Sequence, residues 1–299
     1  MKALFNNLRI ALLVFLLLWV NLANAEDYSF KAEVKGKGEP VILIPGLSCS
    51  GDVWQETVEV MSKQYECHVL TLPGFAGQPP LSPMPENFMT HLRDEIAQYV
   101  QEKNFTKVHL VGHSLGGTLS LAIASKYPEM AGKIFIVDGL PFLAKMVNPI
   151  LTAETAEPFA KNMKQMMMNQ TKEQYEAMQP QMLQSMITAE EDIATVAEWG
   201  RKSDMETIAQ SMYNLYSMDL REDIASIKSP ILVLGAWIGY KAYGATHDNT
   251  LSRYQEQYSK AENATVKLTD EGKHFIMWDD KPFYLSELKS FFSKGKAVN

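Results

Sequence analysis

The chain has 299 residues, 46% of them hydrophobic, with Gly (17) and Pro (14) at ordinary levels, which excludes disordered and fibrous readings and leaves material for one sizeable core. A formal charge of −7 offers little to neutralise phosphate backbones, so nucleic acid is excluded as a partner. No basic helix suggests docking on an anionic membrane.

The first 25 residues stand apart. Lys2 and Arg9 give a basic start, residues 10–20 form an apolar run, and Ala23-Asn24-Ala25 is a small-x-small cleavage site. That layout predicts a secretory signal peptide cut after Ala25. The apolar run is shorter than the roughly 20 residues that span a bilayer, so no stable membrane span is expected after cleavage, and the mature chain is expected to be exported, periplasmic or extracellular. Loss of Lys2 and Arg9 leaves 26 basic and 35 acidic residues, a net −9. Cys49 and Cys67 are the two cysteines. Cys49 follows the carboxyl end of one predicted strand and Cys67 begins the next, about 20 Å of strand away, so two separate thiols are favoured over a disulfide.

Along the chain, residues 41–44 form a continuous apolar run of the kind buried on both faces of a parallel sheet, closed by Pro45-Gly46. A helical stretch at 54–63, a strand at 67–72 and a helix at 88–103 follow. Next come a strand at 107–112, a helix at 115–127 and a strand at 134–137. Later strands are expected at 231–234 and 265–268, with a last helix at 282–292. Strands alternating with helices across short turns predict a mostly parallel sheet with helices on both faces. From residue 141 to about 219 there is no strand candidate, so this interval reads as an inserted helical cap (141–219) within a core of 26–140 and 220–299. Eleven of the 17 methionines fall in it. With Phe142, Leu143 and Phe159 they either line an adaptable apolar pocket or fill the cap's own interior.

The chemistry centres on Gly112-His113-Ser114-Leu115-Gly116, between a predicted strand and a predicted helix. Such a turn pushes a serine hydroxyl out of the sheet at a helix N-terminus, and its glycines are needed where side chains would clash. This sequence resembles the α/β-hydrolase fold family over essentially the whole chain outside the leader and the cap. The resemblance implies Ser114 as nucleophile. It also implies an oxyanion hole from the backbone N–H groups of Leu47 and Leu115, the first in Ile44-Pro45-Gly46-Leu47-Ser48, which is similar to the family's His-Gly loop with Pro in place of His. His274, between the last strand and the last helix, stands where the family has its general base. His68, His91, His109, His113 and His247 carry structural readings. The family's acid most often follows the penultimate strand, where this chain has Ile238. A second arrangement places it after the strand that follows the nucleophile helix, which points to Asp138, with Asp248 as the alternative; Asp270, Asp279 and Asp280 are less favoured.

The expected activity is hydrolysis of a carboxylic ester of a small apolar or medium-chain molecule through an acyl-enzyme, with no cofactor and no metal. Lactone, amide or carbon–carbon hydrolysis could use the same groups, and a non-catalytic binding protein on the same shell is the rival that Ile238 supports.

Overall fold

A computed structural model describes residues 28–293; the predicted signal peptide lies outside them. Seven strands make one sheet: β1 (Lys31–Gly36), β2 (Glu39–Ile44), β3 (Tyr65–Thr71), β4 (Val108–His113), β5 (Ala131–Val137), β6 (Ile231–Gly235) and β7 (Ala264–Leu268). Their order is β1-β3-β2-β4-β5-β6-β7, with β1 antiparallel to β3 and every other pairing parallel.

The apolar runs make sense once alternation is applied to them. Ile42, Ile44, Ile134, Ile136, Ile231 and Val233 face one layer of helices, while Val41, Leu43, Phe135, Val137, Leu232 and Leu234 face the other. Successive strand side chains point to opposite faces, so a strand covered on both sides must be apolar throughout. The first layer contains α2 (Phe88–Glu102) and α3 (Leu115–Lys126), and the second contains α1 (Gln55–Met61) and α11 (Lys281–Ser293). The sequence reading omits β1, a strand with one partner whose side chains are almost all exposed or half-buried. It carries no apolar run because only Ala32 of its side chains packs against the core.

Between β5 and β6 run five helices: α4 (Leu143–Val147), α5 (Ala153–Met168), α6 (Lys172–Gln184), α7 (Glu190–Lys202) and α8 (Met205–Ser217). Thr152 and Thr171 start α5 and α6 with capping boxes, each accepting a backbone N–H three residues on, which satisfies donors that a helix start leaves free. The foot of the insertion is closed by Leu220 N–H on Pro141 O (3.0 Å). Phe142, Ala144, Ala156, Ala160 and Tyr216 form its own small core, with Met163 and Met212 packed on it. Met166, Met168, Met178 and Met182 are exposed instead. The methionines therefore divide among that core, the main core (Met167, Met186, Met205 and Met218), the surface, and a cavity wall that Met146 reaches.

After β6 come α9 (His247–Gln257), β7, and the short α10 (Ile276–Asp279) ahead of α11. Among the described residues no helix is long and apolar enough to cross a membrane. Cys49 and Cys67 are both buried and unbonded; burial pushes the Cys49 thiol up to about 12 and that of Cys67 to about 11, so neither is a ready nucleophile.

Candidate active site

The strand order reverses between β2 and β4: the chain steps to one side for β3 and to the other for β5, β6 and β7. Crevices in open sheets of this kind lie beyond the carboxyl ends of the strands at that reversal. The loop after β2 and the turn after β4 meet there.

That turn carries Ser114 at φ +53°, ψ −117°, a left-handed conformation that L-residues adopt only when the surroundings impose it. Its N–H is held by Val137 O on β5 (2.9 Å), and its carbonyl accepts Gly117 N–H (2.9 Å) and Thr118 N–H (3.1 Å) as α3 begins. A Cβ at Gly116 would collide with the Ile44 carbonyl of β2, so the close approach of helix and strand depends on that glycine. Ser114 itself stays half-exposed. The Leu115 N–H opens α3 and has no acceptor within the helix. Across the crevice Leu47 follows Gly46, where a Cβ would lie 2.8 Å from His113 Nδ1 and 3.3 Å from Ser114 Cβ; the β2 loop thus presses directly on the serine turn.

Asp138 ends β5, also in the left-handed region at φ +49°, with its N–H on Leu234 O (2.7 Å). Its side chain is 6% exposed, and Oδ2 lies 2.5 Å from His274 Nδ1. The other oxygen, Oδ1, accepts Ala236 N–H (2.7 Å) and the Tyr254 hydroxyl (2.5 Å). A buried carboxylate is tolerable when its lone pairs are filled in this way. Burial and the Asp138 charge push the Tyr254 hydroxyl well above its ordinary range, so it remains a donor. The position after β6 that lacks an acid serves Asp138 through the Ala236 amide, two residues before Ile238.

With Nδ1 of His274 on the carboxylate, Nε2 is the ring atom left to exchange a proton. The loop that carries the ring is tied down from several sides. Thr269 Oγ1 accepts the N–H groups of Glu271 (3.2 Å) and Gly272 (2.9 Å), and Asp279 Oδ2 accepts Lys273 N–H (3.0 Å). The insertion adds its own grip: Lys273 Nζ donates to Gln184 O (2.7 Å) and Ile187 O (3.1 Å), Phe275 N–H to Met186 O (3.3 Å), and Thr188 N–H to Asp279 Oδ1 (2.9 Å).

His113 lies beneath the site, its ring centroid 4.7 Å from that of His274. Its Nε2 faces the His274 carbonyl (3.2 Å), which makes Nε2 the protonated nitrogen. Burial, with the neighbouring His274 ring second, holds it well below its ordinary pKa, so it is neutral. Elsewhere His68 bonds to Tyr99 (2.7 Å) and Glu66 (3.0 Å), and His109 Nδ1 accepts Lys133 N–H (2.9 Å). Asp248 sits in the first turn of α9 with its side chain fully exposed, and Asp280 accepts from Thr269 Oγ1 (2.6 Å). The structure therefore sets Asp138 against His274 and leaves Asp248 outside the crevice.

A cavity of about 330 Å³ opens beside the His274–Asp138 pair, walled by Leu140, Leu143, Met146, Tyr240, Tyr254 and Arg253 among others. Tyr254 and Arg253 are functional candidates that sequence reasoning missed. Tyr254 is 116 residues from Asp138 in the chain, and nothing local to α9 marks it.

The profile described as alpha/beta hydrolase fold matches residues 39–281. Pimeloyl-[acyl-carrier protein] methyl ester esterase of Aeromonas hydrophila is 26% identical over 208 residues, covering 68% of this chain and 78% of that protein. Abhydrolase domain-containing protein abhd-5.2 of Caenorhabditis elegans is 33% identical over 101 residues, a third of this chain (33%) and 23% of that longer protein. Among solved structures, the enol-lactonase from Burkholderia xenovorans LB400 superposes with a TM-score of 0.70 at 15% identity, covering 89% of this chain and 96% of that one; at that identity the likeness speaks for the fold alone.

Proposed function

Because this chain belongs to the α/β-hydrolase fold family and is a hydrolase, we propose that it is an exported serine esterase acting through Ser114, His274 and Asp138. Ser114 Oγ attacks the carbonyl carbon while His274 Nε2 takes its proton, and Asp138 holds the imidazole and its developing charge. The N–H groups of Leu47 and Leu115 receive the oxyanion. The alkoxide leaves with the proton returned by His274, and water then repeats the sequence on the acyl-enzyme. The observation that carries this reading is the 2.5 Å contact between His274 Nδ1 and the buried carboxylate of Asp138: it gives His274 a fixed tautomer, which a general base needs and a structural histidine does not. An ester bond is favoured among acyl bonds by the likeness to a methyl ester esterase, and the apolar walls formed by Leu140, Leu143 and Met146 suit a small or medium-length carbon chain.

The test is hydrolysis of p-nitrophenyl esters of graded acyl length by the mature protein and by Ser114→Ala, with fluorophosphonate labelling of both. Activity and labelling that vanish together in the variant support the reading; labelling that persists without Ser114 overturns it. Export is tested separately, by N-terminal sequencing of the protein recovered from cell fractions, where a start at Glu26 is expected.

A further inference from the structure

The wall of the cavity beside His274 and Asp138 carries a solvent-exposed cation, Arg253, without a counter-charge. Arg253 lines this cavity and also an adjoining groove of about 150 Å³, which shares Met146 with it. The groove's other cations are satisfied: Lys145 Nζ lies 2.9 Å from Glu256, and Arg221 Nη2 lies 2.6 Å from Asp219 while its guanidinium stacks 4.7 Å from the Phe142 ring centre. Among the described residues Arg253 makes no such pair and no hydrogen bond. The cavity's acid, Asp138, has its oxygens filled by His274, Tyr254 and Ala236 and is not available to it. Asp248, one turn earlier on α9, points to solvent with its side chain fully exposed and does not line the cavity.

The backbone that presents Arg253 is held by its neighbour. Asn249, Thr250, Arg253 and Tyr254 all line the cavity, a spacing that puts them along one side of α9. The Tyr254 hydroxyl is bonded to Asp138 Oδ1 at 2.5 Å. The helix that presents the guanidinium is therefore anchored to the same carboxylate that orients His274. The amino end of α9 faces the cavity as well, through Gly244, Ala245 and Asn249, and adds the positive end of a helix dipole to the arginine. The apolar part of the cavity wall includes Leu140, Leu143 and Met146.

We propose that Arg253 receives a carboxylate at the far end of the substrate, so that the preferred substrate is an ester or lactone that also carries a free carboxylate, such as the monoester of a dicarboxylic acid. The proposal rests on the serine-esterase reading and adds a substrate class to it. A guanidinium matches a carboxylate with two parallel N–H···O bonds, and a methylene chain between the two polar ends lies against the apolar wall. In a chain of net charge −7 an anionic substrate is repelled by the protein as a whole, so a local positive site is what lets it settle in one orientation.

The experiment compares monomethyl esters of dicarboxylic acids of increasing chain length with methyl alkanoates of matching length. We expect the unsubstituted enzyme to prefer the half-esters at one chain length. The ratio of kcat/KM for half-ester over alkanoate should fall about tenfold or more in Arg253→Gln, as expected for loss of a hydrogen-bonded charge pair, and should invert in Arg253→Glu. No preference in the unsubstituted enzyme, or a ratio that Arg253→Gln leaves in place, overturns the proposal. Calorimetry in the Ser114→Ala background gives a second readout that needs no turnover: the half-ester should bind, with a Kd raised about tenfold by Arg253→Gln, and failure to bind or an unmoved Kd sinks the carboxylate site. A Ser114→Ala protein that still hydrolyses alkanoates would sink the serine-esterase reading instead, which keeps the two failures distinct.

Discussion

The strand ends that hold Ser114 and Asp138 and the outer face of the inserted helices differ sharply in burial. Ile44, Val111, Phe135 and Val137 are fully buried, with helices on both sides of the sheet, whereas Met166 and Met178 in the insertion are 69% and 60% exposed. The sheet fixes the positions of reacting atoms, where an error of an ångström is costly. The insertion adds one flexible thioether, Met146, to the cavity wall and carries Met166, Met168, Met178 and Met182 at its surface. Precision and adaptability are thus assigned to separate stretches of one chain.

The most severe way to break the precise half is at Asp138. Asp138→Asn should lower kcat by roughly 10³- to 10⁴-fold, because His274 loses its orienting acceptor. Asp248→Asn should stay within about twofold, as for an exposed residue away from the site; if the two variants behave alike in steady-state kinetics, Asp138 is not the triad acid. The next comparison is of stability. Phe135→Ala, at the centre of the sheet, should cost about 3–5 kcal/mol in denaturant unfolding, and Met178→Ala in the insertion less than about 0.5 kcal/mol. Equal losses would mean that the insertion is as tightly packed as the core.

Tyr254→Phe sharpens the comparison at a single oxygen. Removing a hydroxyl donor from a buried carboxylate should cost about 1–3 kcal/mol of stability and lower kcat about tenfold with a smaller effect on KM, since the carboxylate is oriented through it. A change confined to KM would place Tyr254 in substrate binding. The smallest effect is in pH dependence. The folded state keeps the His113 ring neutral, its pKa held well below 6.5 by burial, whereas in the unfolded chain that ring takes up a proton near 6.5. The unfolded state therefore binds more protons below that pH. The contribution is fully present above about pH 6.5 and is lost as pH falls through it, by up to about 1.4 kcal/mol per unit. His68, also lowered by burial, adds a contribution of the same sign. The slope of unfolding free energy between pH 6.5 and 5 should shrink in His113→Gln, and an unchanged slope would mean that the buried ring does not report on folding.

Which parts of this arrangement were legible in the sequence follows from the range of the forces involved. The strands covered on both faces announce themselves as apolar runs, and the serine turn as glycines at fixed spacing, because in both cases the requirement is local. Asp138 was readable by position, at the end of such a run, together with the missing acid at Ile238. β1 was not readable, since an edge strand with exposed side chains obeys no burial pattern. Neither was the Tyr254 hydroxyl on Asp138 nor the unpaired Arg253, because each gains its meaning from a partner or a cavity brought close by folding over more than a hundred residues. The division of the methionines was equally hidden: composition counts them, and only packing distinguishes Met163 on the insertion's core from Met178 at its surface.

The four bonds between residues 184–188 and the His274 loop constrain the mechanics of the insertion. Gln184 O, Met186 O, Ile187 O and Thr188 N–H clasp Lys273, Phe275 and Asp279, and a second clasp joins Asp204 N–H to Gly74 O (2.7 Å) and Ala76 N–H to Ser203 Oγ (2.9 Å). A cover that swung away as one piece would pull His274 away from Asp138. The insertion is thus sewn down along a seam beside His274, and any motion that admits substrate has to leave that seam closed.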